Sequence, residues 1–469
     1  MATALVDTVP VVVAEAPQTL GRALSGFRAG VRAAKKGKAT MGEVERRLER
    51  ESKPLLREAL RETLQAKADR CPPRCPVCKG PLSDTKLKER SVRTQWGTVT
   101  LRRTYGFCAR CQKWSAPADV ALALAPDTQT SPDLAEKLAY LGAKLPFEEA
   151  AEVFEHLTGQ KVSPSRLERE TQRAGEAALE ERRKDEERAL NPATRGAFAN
   201  EHSTGLKKAF TLVILMDGWM LRGREDWGQT DALRDKGEEP QRWHETKTAR
   251  LYRIEEEDRH TGSRPTLAAS EYVATREGPE GFSRLVYVAA LRLGLFEADR
   301  VVILGDGGVW LWKIAEDRFP EADGTLDFYH AAEHLWVVGN ALYGEGTAAA
   351  RQWVEQQRQN LRHGQQRKVL RTLDALATIT RELPVAKLVE GEHRYFQNHA
   401  EHLDYRDRER RGEPLGSGAI ESACKQFQHR FKRCGQFWSS TWDEGLLELK
   451  ARQLSGRWKS RWPHLHELN

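Results

Sequence analysis

FTLVILMDGW (residues 210–219) and VVILGDGGVW (residues 301–310) decide the fold. Each opens on a continuous apolar run, the texture of a strand buried on both faces of a sheet. Each then releases one carboxylate, Asp217 or Asp306, before Gly and, soon after, Trp. Two such strands predict a mixed sheet built around these two acids. RLYRIE (250–255) and RLVYVAAL (284–291) read as further strands. Outward from this centre the texture is helical, from Ser131 to about Leu190 and from about His330 to Arg411. After GEPLGSGAIES (412–422) it is helical again to the C-terminus. A chain of 469 residues is long enough for roughly two to four domains, and the expected class is multidomain α/β.

With 39% hydrophobic and 30% charged residues, the composition is that of a globular protein that stays in water. Uninterrupted apolar runs such as Leu212–Met216 and Val301–Leu304 fall far short of the roughly 20 residues a membrane span needs. Asp7 and Glu15 interrupt the Ala/Val-rich beginning and no basic segment precedes it, which argues against a secretory signal. A cytoplasmic, nucleoid-associated protein with no membrane partner is expected. The net charge is +7, and Lys and Arg concentrate in Arg28–Lys38, Lys425–Arg433 and Arg452–Arg461. Such clusters suit a polyanion, although any one of them also reads as a solvated helix face.

Seven cysteines, an odd number, fit metal ligation better than a disulfide framework. Cys75 and Cys78 are two residues apart, as are Cys108 and Cys111. The interval holds SVRTQWGTVTLRRTYG (91–106), two short strands joined at Trp96–Gly97. Tetrahedral Zn²⁺ wants four thiolates, and each knuckle presents two. Residues 71–125 are therefore expected to be a zinc-ribbon-like module, with the role of Cys71 open. Cys424 and Cys434 read as small core residues. Residues 1–70 read as a helical basic arm, with a second helix able to begin at Pro54. Within 126–195, LPFEEAAEVFEHLTGQKVSPSRLERETQRAG (145–175) has the pattern of two helices joined by a Gly-containing turn, a helix-turn-helix.

Glu421 follows the turn GEPLGSG at the start of a helix. Phosphodiester chemistry needs the attacking and leaving oxygens stabilised together, which two hard cations about 3.5–4 Å apart can do. Mg²⁺ or Mn²⁺ at such a site takes few protein carboxylates, so Asp217, Asp306 and Glu421 suffice. Singly, the two aspartates also fit turn stabilisation, and Glu421 fits a helix N-terminus near Ser417. Steps of three or four from Glu421 reach Lys425, Gln428 or His429, and Lys432, a basic face suited to DNA phosphates.

LMDGW, LGDGGVWLW, FPEADGTLDFYHAAEHLW, LYGEG and GSGAIESACKQFQHRFKRCGQFW together resemble bacterial insertion-sequence transposases of the ISKra type, relatives of the Mutator-like DDE transposases. The resemblance runs from about Cys75 to the end and is most specific over 301–340 and 412–440. It implies a ribonuclease-H-like core over 205–339, a helical insertion over 340–411 and a C-terminal helical part, 412–469, with the third acid. The acids of the triad match Asp217, Asp306 and Glu421. An Asp-x-x-His motif that follows the second acid in the superfamily matches Asp327 and His330, with an accessory role in positioning DNA or shaping the site. His330 and His334 would also serve as core or cap histidines, or as a zinc pair. Trp353 in the insertion reads as a core residue or a contact to distorted DNA.

The resemblance implies cleavage at element ends and strand transfer by two-metal phosphoryl transfer. Arg166, Arg169 and Arg173 are candidate contacts to terminal repeats, equally readable as a solvated face. Pairing two ends implies at least a dimer. The rivals are a noncatalytic zinc-containing DNA-binding regulator and a ribonuclease-H-like nuclease or resolvase that cuts without joining.

Overall fold

The computed structural model describes residues 20–206, 209–239, 242–259, 262–462 and 465. Residues 1–19 of the expected N-terminal arm lie outside these. The described chain divides into two compact units, one of residues 20–142 and 147–170, the other of residues 143–146 and 171–462. Among the described residues no helix is long and apolar enough to cross a membrane.

In the first unit α1 (Leu20–Lys36) packs on α2 (Met41–Asp69). Helix α2 opens with a capping box, the Thr40 N–H donating to the Glu43 carboxylate at 2.8 Å. It runs unbroken through Pro54, so the second helix expected at that proline is part of one long helix. The hairpin β1 (Ser83–Thr94) and β2 (Gly97–Cys108) is edged by β3 (Lys113–Ser115). Its strands are 12 residues each, longer than the short strands expected, and turn at Trp96–Gly97 as foreseen, Gly97 taking φ 118°. Leu60 and Leu64 of α2 pack on Val92, Val99 and Leu101 of the hairpin, so the apolar stripe of the expected amphipathic arm is bound to a core. Helices α3 (Pro117–Ala121), α4 (Pro132–Gly142) and α5 (Phe147–Thr158) follow, and Gly159 at φ 65° leads toward α6 (Pro164–Leu190). Helix, glycine turn and helix thus fall where the helix-turn-helix pattern put them.

The second unit holds most of α6, then α7 (Pro192–Ser203), β4 (Phe210–Arg222), α8 (Thr230–Asp235), β5 (Trp243–Arg259) and β6 (Gly262–Thr275). Next come α9 (Pro279–Arg292), β7 (Arg300–Gly305), α10 (Val309–Arg318), β8 (Asp323–Leu326) and α11 (Phe328–Tyr343). The sheet order is β6-β5-β4-β7-β8, antiparallel across β6, β5 and β4 and parallel from β4 through β7 to β8. Alternation along β4 sorts its residues between two faces. Leu212, Ile214 and Met216 join Ile303 and the buried residues of α9 in one core. Val213, Leu215 and Asp217 face the other way, toward the side on which the helix Gly418–Phe431 packs.

RLVYVAAL, expected as a strand, is the middle of α9. Gly278 and Pro279 start this helix, and every residue from Gly281 to Leu291 except Arg284 is buried. A helix buried nearly all round has no polar face, so its apolar run cannot be told from a strand by periodicity. The missing strand is the more polar β6.

The expected insertion is helical: α12 (Ala348–Arg362), α13 (Gln366–Ile379), α14 (Ala386–Asn398) and α15 (Tyr405–Arg410). It shares its own core with α11, through Leu335, Val338, Val354, Leu373 and Phe396, and Trp353 packs against that core half-buried. The chain closes with α16 (Gly418–Phe431) and α17 (Ser440–Leu454). α6 and α17 cross where Gly175 meets Gly445; a Cβ on either would lie 3.0–3.1 Å from the other's backbone.

The arginines of the basic cluster Arg452–Arg461 are paired with carboxylates. Arg452 is 4% exposed and held by Glu448 at 2.6 Å and Glu181 at 2.5 Å, while Arg457 pairs with Glu271 and Arg461 with Glu181. Glu448 one helical turn away and Glu181 and Glu271 far off in sequence neutralise the cluster's arginines, while Lys459 is exposed. In contrast, Arg28, Arg32, Lys35, Lys36 and Lys38 are exposed.

Candidate active site and cysteine centre

β4 and β7 run parallel with Leu215 opposite Leu304. Two residues further along each chain stand Asp217 and Asp306. Equal register on adjacent parallel strands puts both carboxylates on one face, side by side. Asp306 lies just past the end of β7, whereas β4 continues to Arg222, so Asp217 sits inside its strand rather than ending it. Asp217 Oδ1 accepts from the Gly218 N–H at 2.6 Å and Asp306 Oδ1 from the Gly308 N–H at 3.0 Å.

α16 packs across β4 and β5. The buried Cys424 thiol reaches Asp217 Oδ2 at 3.6 Å, so Cys424 is a core residue, as expected, and also the floor of the site. Glu421, one turn earlier on α16, is exposed; its carboxylate accepts from Ser417 Oγ at 3.1 Å and lies 3.8 Å from Lys425 Nζ. Burial raises the Asp217 pKa; the Gly218 N–H opposes this, and the charges of Asp306 and Glu421 add to the rise. The three acids therefore share one electrostatic neighbourhood, although their oxygens do not all lie within 4.8 Å of one another. Hard oxygen donors with surplus negative charge fit divalent hard cations, and Glu421 stands exposed on the first turn of α16.

Lys425, His429 and Lys432 are exposed along α16, as the spacing predicted, and Lys432 Nζ stands 5.4 Å from the Trp219 ring. Cys434 is exposed in the turn after α16 instead of lying in a core. The helix ends at Phe431, and the residues beyond it lose the face that points at the sheet.

Asp327, 1% exposed, caps α11 by accepting from the N–H groups of Tyr329 at 2.6 Å and His330 at 3.1 Å. Its other oxygen accepts from the Ser417 N–H at 2.6 Å, the residue that opens α16. Asp327 thus ties the second acid's side of the sheet to the helix of the third. His330 is half-buried, with its Nε2 3.3 Å from Nε2 of His334 and its Nδ1 3.3 Å from Glu333. His334 Nδ1 meets Glu392 at 2.6 Å and its ring stacks on Tyr395 at 3.7 Å.

Tyr395 and His399 of the insertion were not singled out by sequence. The Tyr395 hydroxyl donates to the Asp306 carbonyl at 2.9 Å, and His399 Nε2 stands 3.1 Å from the Gly307 carbonyl. Gly307 has φ 96°, and a Cβ there would lie 2.9 Å from His399 Nε2 and 3.0 Å from the Tyr395 hydroxyl. α14 therefore clasps the loop that carries Asp306. No local pattern could announce a contact across 89 residues.

The four cysteines come together. Cys75 and Cys111 sulfurs are 3.8 Å apart, and those of Cys78 and Cys108 3.5 Å. Sulfurs about 2.3 Å from a central tetrahedral ion would be about 3.8 Å apart, so the group could hold a metal such as zinc. The Cys78 N–H is the main cause that lowers the Cys75 thiol to about 6, while the crowd of thiols, Cys78 foremost, pushes Cys111 up to about 12. Cys71 stays outside the group, its thiol directed to the Lys67 carbonyl at 3.4 Å. Among the described residues these four cysteines are the one set of three or more ligands gathered within 4.8 Å.

Of the arginines proposed for DNA, Arg169 is exposed. Arg166 is half-buried against Thr130 at 3.4 Å, and Arg173 is half-buried in the second unit.

Residues 237–462 match the uncharacterised protein family UPF0236. The matched span begins before β5 and ends after α17; it includes Asp306, Asp327, His330, Glu421 and Cys424 and leaves out Asp217 and the four clustered cysteines. No curated protein matches the chain.

Proposed function

We propose that the chain is a DDE transposase of the ISKra type, which cuts DNA at insertion-sequence ends and joins them to target DNA. The observation that carries this reading is the equal register of Asp217 and Asp306 on parallel neighbours, with the helix of Glu421 packed over Asp217. The sheet order and strand directions support a ribonuclease-H-like core, and the helical stretch between the second and third acids fits the expected insertion.

Asp217, Asp306 and Glu421 would hold two Mg²⁺ or Mn²⁺ ions. Bound there, these ions would supply Lewis-acid activation of water or a 3′-hydroxyl and stabilise the leaving oxygen. The protein's own part is positioning. Asp217 is fixed by the Gly218 N–H and Cys424, the Asp306 loop by Tyr395 and His399, and α16 by Asp327. Lys425 and Lys432 stand ready for DNA phosphates, and Arg169 and the basic face of α1 for duplex contacts elsewhere. Zn²⁺ on Cys75, Cys78, Cys108 and Cys111 would brace the hairpin. Pairing two DNA ends calls for at least a dimer during catalysis.

The test is incubation with Mg²⁺ and DNA bearing the sequences that flank the gene, with both strands mapped. Cleavage and joining that vanish in Asp217→Ala, Asp306→Ala and Glu421→Ala are expected. Normal activity in all three variants would overturn the site. Cleavage without joining would make the protein a nuclease or resolvase, and metal-independent binding without cleavage a regulator.

A further inference from the structure

Beyond Asp217, β4 runs to Arg222, and beyond Glu421, α16 leads to Phe437 and Trp438. These two extensions meet. The Trp438 N–H donates to the Arg222 carbonyl at 3.0 Å, and the Arg224 N–H to the Trp438 carbonyl at 3.0 Å. The junction borders a cavity of about 250 Å³ lined by Arg222, Arg224, Arg242, Trp227 and Phe437, with Asp226 its one acidic wall. The Arg222 guanidinium lies 4.4 Å from the Phe437 ring centroid and 5.7 Å from that of Trp243, and Trp227 meets Phe437 edge-on at 4.7 Å. Trp227 is 60% exposed and Trp243 49%. Among the described residues neither Arg222 nor Arg224 is paired with a carboxylate.

Large aromatic surface left open to water beside unneutralised guanidinium groups is costly to keep and has a defined use. Aromatic faces stack bases regardless of sequence, and arginines hold the phosphates between them. The volume falls below the roughly 300 Å³ at which pockets for drug-sized ligands begin, so the space suits one base or phosphate rather than a whole cofactor.

We propose that this pocket receives an unpaired nucleotide of the DNA strand being processed, its base against Trp227 and its phosphates on Arg222, Arg224 and Arg242. This rests on the transposase reading above. Because the pocket is built where the strand of the first acid meets the segment following the helix of the third, it would hold a strand end opened next to the cut.

The experiment compares, by fluorescence anisotropy without divalent cation, a labelled blunt hairpin duplex with the same duplex bearing three unpaired thymidines. Contacts to duplex elsewhere in the protein cancel in the ratio. The wild-type chain should prefer the overhang by about 5- to 160-fold, the range of a single base–aromatic stack. Trp227→Ala and Arg224→Ala should erase the preference and leave blunt-duplex affinity unchanged, while Trp227→Phe should keep most of it. No preference in the wild type, a preference untouched by Trp227→Ala, or equal losses on blunt and overhung DNA would each overturn the pocket. An overhang of abasic sites distinguishes stacking from charge: if it binds as well as thymidine, no base is received. Mg²⁺-dependent cleavage and joining by the same proteins separate the two ideas, since a failed pocket leaves triad-dependent cleavage and joining intact, and a failed transposase reading leaves no joined product.

Discussion

Asp217 is a buried acid with acidic neighbours. Its pKa is raised above the ordinary 3.8 by burial first and by two neighbouring acids. A carboxyl whose folded pKa exceeds its unfolded one contributes stability that is full below the unfolded value and lost as pH rises through the folded value. At neutral pH without metal the ionised group therefore works against the fold. Asp217→Asn should raise the melting temperature of the metal-free protein while abolishing cleavage, and a drop in melting temperature measured in chelator would count against this account. With Mn²⁺ held at Asp217 as proposed, the same shift would make protons compete with the metal as pH falls. Calorimetric Mn²⁺ affinity should weaken on acidification, and Asp217→Asn should flatten that dependence.

Asp327 is the complementary case, a buried carboxylate satisfied by three backbone N–H groups. Removing it leaves those donors unmet, at about 1–3 kcal/mol for a buried unsatisfied group. Asp327→Ala should lower stability by that order in denaturant melts and depress cleavage further by loosening α16, with the zinc content unchanged. Unchanged cleavage in a stably folded variant would remove Asp327 from the site. Its importance was visible in the sequence only through the DFYH resemblance. That it holds Ser417, 90 residues on, was not.

At the scale of elements, α17 shows how charge misleads when read along the chain. Arg452 continues a basic run in sequence, yet in space it lies among Glu448, Glu181 and the Ala178 carbonyl. Breaking a buried ion pair by removing one partner costs about 3–5 kcal/mol, because the other charge stays buried and unpaired. Arg452→Ala should lose stability of that order in urea unfolding and leave blunt-duplex DNA affinity unchanged at a temperature where it is folded. A loss of DNA affinity without destabilisation would restore the polyanion reading. α9 misleads through hydropathy in the same manner: burial nearly all round erased the periodicity that marks a helix. β4 and β7 were legible because strands buried on both faces carry long apolar runs and each ends that run in an acid.

For the molecule as a whole, two compact units predict two responses to perturbation. The first unit leans on its cysteine group, whose small local core is little more than the four cysteines and Leu82. Where a core is that small, metal binding is folding energy. Purified protein should carry one zinc per chain if the four thiolates bind one ion. Strong chelator or Cys108→Ser should lower an early thermal transition and leave a later one, from the sheet-containing unit, in place. A single cooperative transition insensitive to chelator would contradict this.

Local chemistry by itself determined the cysteine pairs, the two acid-bearing strands, the helical stretch between the second and third acids, and the basic face of α16. Each is written within a few residues, where spacing and periodicity suffice. Only the tertiary structure decided that Asp217 and Asp306 share a register, that Cys424 floors the site, that α14 clasps the Asp306 loop, and that Arg452 is internal. Those facts depend on which side chains are brought together across tens to hundreds of residues, and burial and charge compensation are properties of that assembly rather than of any segment.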